Sequence, residues 1–141
     1  MIKSIVDGIS EQLASTFGDG YKIYTDAVKQ GLKEPCFFIR LINPVSTREL
    51  NRRFYRQNLF VIQFFPASHE PRDECYQMQD DLYLALEYIT VNGDLLRGIG
   101  MRGEFIDGNL HFFVNYNMYV MLKTEDVFME ILERPQITTR G

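Results

Sequence analysis

"SHEPRDEC", residues 68–75, packs His69, Glu70, Asp73, Glu74 and Cys75 into a few positions and could hold a metal. A metal centre needs three or four convergent ligands. This run follows no ligand spacing that would bring them together, and its acids suit a helix start instead. His111 faces Glu104 across a predicted hairpin, and a His–carboxylate pair can act as a general base. No nucleophile or third partner accompanies it, so a cross-strand surface pair is the simpler reading. "GIGMRG" (98–103) resembles a glycine-rich dinucleotide fingerprint but lacks the helix such a site requires, so it reads as a strand with bulge-permissive glycines. "GLKEPC" and "FGDGY" match no phosphate-binding loop.

The remaining chemical signal is charge. "TRELNRRFYRQN" (47–58) sets Arg48, Arg52, Arg53 and Arg56 against Glu49, with Phe54 and Tyr55 interleaved. On a projecting segment, these residues could touch phosphates or an acidic protein surface. The plainer alternative is a solvated sheet edge whose charges block aggregation.

The elements that would position these residues come from periodicity. Ile2, Ile5, Val6, Ile9, Leu13 and Phe17 recur at helical spacing over 2–17, and "YKIYT" (21–25) alternates as a strand. Residues 29–35 read as a polar turn and "CFFIRLI" (36–42) as a central strand. Asn43-Pro44 opens a loop over 43–50. A long strand spans 53–65, and its first half projects beyond the core. A second helix covers 68–89 with a stripe of Cys75, Met78, Leu82, Ala85, Leu86 and Ile89, and "VNGDLLRG" (91–98) after it contains an Asn-Gly turn signal.

"EFIDGNLHFFVNYNMYVML" (104–122) then reads as a hairpin turning at Asp107-Gly108. In that register Phe105 meets Leu110, Gly103 meets Phe112, Met101 meets Val114 and Ile99 meets Tyr116, all on one face. Glu104–His111 and Arg102–Phe113 fall on the other face. Phe113, Asn115, Asn117 and Tyr119 thus point outward, and together with the arginine segment they are the candidate partner-contacting residues.

The element order α-β-β-β-α-β-β makes an α+β fold, a mainly antiparallel sheet with two helices packed on one face. The other face must be wet or covered by a partner. One such domain fills residues 1–122, and 123–141 form a partner-contacting C-terminal extension that could hold a helical turn near 125–133.

Composition narrows the class. The 141 residues are 45% hydrophobic and 24% charged, which is globular rather than disordered. A net charge of −4 argues against nucleic-acid binding by the whole protein. Cys36 and Cys75 are expected to be free and buried. The N-terminus carries acids within its apolar pattern, unlike a signal peptide. No apolar run approaches the ~18 residues of a membrane span, so no membrane partner is expected.

"MIKSIVDGISEQLASTFGDGYKIYTDAVKQGLKEPCFFIRL", "YRQNLFVIQFFP", "LEYITVNGDLLRG" and "DGNLHFFVNYNMYV" resemble a phage tail terminator family of phages and tail-like particles of Gram-positive bacteria. The resemblance runs from residue 1 to about 122. It implies a homo-oligomeric ring, a hexamer in that family, capping the head-proximal end of the tail tube and stopping its polymerisation. Implied partners are the tail tube protein, the sheath of contractile particles and head-completion proteins, with DNA only where it passes through the lumen. The resemblance implies assembly in the bacterial host cytoplasm, then residence in the virion or a bacteriocin-like particle. It implies no enzyme, no cofactor and no catalytic residue. Two alternatives stand beside it: another ring component, such as a head-completion or tube protein, and a small-ligand-binding or enzyme domain. The latter needs a polar pocket with convergent titratable groups.

Overall fold

The computed structural model describes residues 2–25 and 33–121. Helix α1 (Ile2–Phe17) buries Ile5, Ile9 and Leu13, one turn apart on one stripe. After a short 3-10 turn, β1 (Lys22–Tyr24) runs parallel to β2 (Cys36–Arg48). Strand β3 (Arg53–Phe65) pairs antiparallel with β2. Helix α2 (Pro71–Ala85) starts with Pro71, whose missing N–H costs nothing in the first turn. Strands β4 (Tyr88–Val91), β5 (Asp94–Ile106), β6 (Asn109–Tyr116) and β7 (Met118–Met121) complete the chain.

The sheet order is β1-β2-β3-β6-β5-β4, with β7 added to β3 beyond the end of β6. Both helices lie on one side of the sheet. Phe37, Ile39, Phe60, Ile62, Phe64, Leu110, Phe112 and Val114 meet them in a single core. Each fully buried large apolar side chain contributes about 1.5–3 kcal/mol, so alternation along three adjacent strands fixes which face is inside. The expected α+β class holds, with two more strands than the sequence indicated.

The differences have local causes. Residues 43–48 are strand, not loop. Asn43 (φ +44) and Pro44 sit in a bulge between Ile42 and Val45, where the ladder needs no donor from proline. Helix α2 stops at Ala85, and Ile89, expected on its stripe, is buried from β4 instead. The Asn-Gly turn signal within 91–98 forms a two-residue turn at Asn92-Gly93, with both residues at positive φ, and strand rather than loop follows it. The Asp107-Gly108 turn forms as expected, and Phe105–Leu110, Gly103–Phe112, Glu104–His111 and Arg102–Phe113 pair. Beyond Arg102 a bulge at Gly100 (φ +61) shifts the register. Ile99 therefore pairs with Asn115 and is exposed, while Gly98 takes the place opposite Tyr116. The single strand expected over 109–122 breaks at Asn117. Buried Asn58 donates from its side chain to the Tyr116 carbonyl at 3.0 Å, and its backbone N–H donates to Asn117 Oδ1 at 3.2 Å.

Residues 29–32, the turn near 125–133 and the whole 123–141 extension lie outside the described residues. No described helix is long and apolar enough to cross a membrane.

Candidate functional site: an uncovered sheet face and a projecting arm

Past Ile42 on β2 and before Asn58 on β3, burial ends while pairing continues. The two strands run on as a ribbon of residues 43–48 on β2 and 53–57 on β3, about 16–20 Å long at 3.3 Å per residue. Its tip is closed by Glu49 N–H donating to the Arg53 carbonyl (2.8 Å) and by Arg48 Nε donating to the Asn51 carbonyl (2.9 Å). Strand β7 lies along its β3 side, pairing Arg53 with Met121, Phe54 with Val120, Tyr55 with Tyr119 and Arg56 with Met118. This three-stranded arm extends past the part of the sheet that the helices cover.

The arm gathers most of the residues expected at a partner contact. Arg48 lies over the Phe54 ring at 5.6 Å, and Arg53 lies over Tyr119 at 4.0 Å. The Tyr55 and Tyr119 rings pack with centroids 4.8 Å apart, tilted by 42°. Arg53 also meets Glu49 at 3.2 Å, an exposed pair of small energetic weight. Arg52 stands in the tip turn. Guanidinium groups held over aromatic rings keep their charge outward on a rigid platform, an arrangement suited to an acidic surface.

Register joins the arm to the face of the sheet that carries no helix. Rows Arg40–Val61–Phe113–Arg102 and Ile42–Leu59–Asn115–Ile99 lead toward Tyr55, Tyr119 and Met121 on the same side. Val61 is only 1% exposed there, because Arg40 and Phe113 flank it. Arg102 lies over Phe113 at 4.0 Å and pairs with Glu104 at 2.7 Å. Phe113 and Asn115 thus belong to this surface, whereas Asn117 is occupied by Asn58. Leu50, Met121 and Val61 belong to the arm or face but carry no charge or motif that marks them in sequence.

The chemical candidates do not converge. Among the described residues no group of three His, Cys, Asp or Glu could hold a metal ion. Glu70 stands at the N-cap of α2 without a side-chain capping hydrogen bond, and Glu74 in the first turn accepts the Ser68 N–H at 3.0 Å. Cys36 and Cys75 are free and fully buried, and burial, aided by Glu34 and Glu74 respectively, pushes each thiol up to about 11. Both stay protonated at pH 8. Iodoacetamide is therefore expected to label native protein about 100-fold more slowly than denatured protein, read by mass spectrometry.

His111 sits between Gln63 and Glu104 in the ladder. Burial lowers its pKa below the ordinary 6.5, helped by Arg40 and opposed by Glu104 and Asp107. The unfolded chain then takes up the proton first, so this contribution to stability is complete above pH 6.5 and fades as pH falls below it. Urea denaturation at pH 7.5 and 5.5 is expected to show a larger acid loss for the native protein than for His111→Gln.

The described residues thus make a small α+β domain with a sheet face that carries no helix and a charged aromatic arm beyond it. The family model described as phage tail terminator protein matches residues 4–127. The chain belongs to this phage tail terminator family and is a structural component of a phage tail, acting among other tail proteins as part of the virion. No curated protein matches the chain.

Proposed function

We propose that copies of this protein form a closed ring, a hexamer by the family's pattern, at the head-proximal end of the tail tube. The ring stops tube polymerisation and joins the tube to head-completion proteins or, in a contractile particle, to the last sheath ring. It forms in the host cytoplasm. Residues 1–122 are the ring-forming domain and 123–141 are a contacting extension. The reading includes no catalysis: the domain's work is adhesion.

The observation that supports the ring is the continuous uncovered side running from Phe113 through Tyr55 and Tyr119 to the arm tip. A monomer gains nothing from exposing such a surface, while an assembly buries it. Electron microscopy of the purified protein tests the reading. Discrete rings support it, and long fibres would mark a tube subunit instead. In a deletion strain, tubes of uncontrolled length support a terminator, and tubes of normal length contradict it.

A further inference from the structure

The chain's negative charge is unevenly distributed. Between Arg48 and Arg56 four arginines stand against Glu49 alone, a net +3. Helix α2 carries Arg72 against Asp73, Glu74, Asp80 and Asp81, a net −3. Each surface also carries an exposed leucine. Leu50, at the arm tip, is 82% exposed, an unusual position for a leucine flanked by charged residues. Leu84, on α2, is 80% exposed beside a groove of about 530 Å³ between the helices, lined by Gln12, Thr16, Phe17, Asp81, Leu84 and Ala85.

We propose that the arm of one copy docks on the α2 surface of a second copy, with Leu50 seated in the α1–α2 groove against Leu84 and the flanking arginines set against Asp80 and Asp81. This rests on the ring reading and names its contact. The occupant is a second copy because this chain itself supplies the complement of the arm: opposite charge of equal size, with an exposed leucine on each side. Arm and groove are different surfaces, so the contact is head-to-tail. Repeated from copy to copy, such a contact closes into a ring when its rotation divides the full turn. It also gives a use to Asp80 and Asp81, which stand beyond the first turn of α2 and do not favour the helix start.

Sedimentation of the full-length chain tests this, with thermal melting to confirm folding. Leu50→Asp and Leu84→Asp change exposed residues, so each variant is expected to melt like the unaltered protein. Each is expected to weaken self-association by about tenfold or more. The charge reversals R48E/R52E and D80K/D81K are expected to do the same separately, and the four substitutions in one chain are expected to restore assembly. Loss on arm reversal that helix reversal neither reproduces nor repairs would overturn the docking, since the arm would then meet a tube or sheath protein. Rings unaffected by any of these changes would overturn the docking but leave the ring standing. An unaltered protein that stays monomeric, alone and with tail tubes, would overturn the ring as well.

Discussion

Alanine at position 98 is expected to cost about 3 kcal/mol, lowering the melting temperature by about 10 °C at a few degrees per kcal/mol for a chain of this size. A Cβ on Gly98 would lie 2.7 Å from the Leu86 carbonyl oxygen, 2.8 Å from Val114 Cγ2 and 3.1 Å from Tyr116 Cε1. None of these can yield cheaply. Leu86 O accepts the buried Tyr116 hydroxyl at 2.6 Å, and Leu86 N–H donates to Leu82 O at 2.9 Å where α2 ends. The Gly98 N–H donates to the Glu87 carbonyl at 2.7 Å. The end of α2, the start of β5 and the last core position of β6 are thus bonded together across a gap that admits only hydrogen. Burial raises the Tyr116 hydroxyl's pKa far above its ordinary 10, so that donor keeps its proton. Gly20→Ala is the control, because nothing lies within 4 Å of its added carbon, and a change under about 0.5 kcal/mol is expected. Thermal and urea unfolding of both variants decide the point. A Gly98→Ala protein that melts within about 2 °C of the unaltered chain would refute the close packing.

Tyr119→Asp is expected to have the opposite profile, nearly full stability with loss of function. Tyr119 is 56% exposed, and its contacts are the ring of Tyr55 and the guanidinium of Arg53. An exposed aromatic pair and cation–π contact contribute about 1 kcal/mol, so the melting temperature should fall by only a few degrees. At an interface, a desolvated tyrosine beside an arginine is the type of residue whose loss costs about 2 kcal/mol or more. That cost recurs at every contact of a ring. Complementation of a deletion phage with the variant is therefore expected to yield at least about 100-fold fewer infectious particles. Full titre with Tyr119→Asp would remove the arm from the contact surface.

The two predictions divide along the line between what was legible in the sequence and what was not. The amphipathic stripe of α1 and the Asp107-Gly108 hairpin are local patterns, and both formed as read. Parity held from the hairpin turn to Arg102 and failed there because Gly100 absorbs one residue in a bulge. The glycines of "GIGMRG" permit a bulge but do not say whether one forms or which residue takes it. Ile89 fits both a helical stripe and a short strand, and tertiary pairing with Leu96 decides it. The break at Asn117 depends on Asn58, far away in the chain. The arm's arginines and Tyr119 were visible as an excess of charge and an outward parity. The packing of Tyr55 on Tyr119 was not, since it needs the β3–β7 pairing. Leu50 has no pattern to mark it, and nothing sets Asp80 and Asp81 apart until the arm's charge is set beside them.

A cryo-electron microscopy map of the assembled tail most directly tests whether the uncovered sheet face and arm are bonding surfaces. The expected density shows one ring of this chain at the head-proximal end of the tube, with Phe113, Tyr55, Tyr119 and the 48–56 arm covered by neighbouring subunits. A map that leaves that face and arm in solvent, or in which the chain is absent from the tube's end, contradicts it.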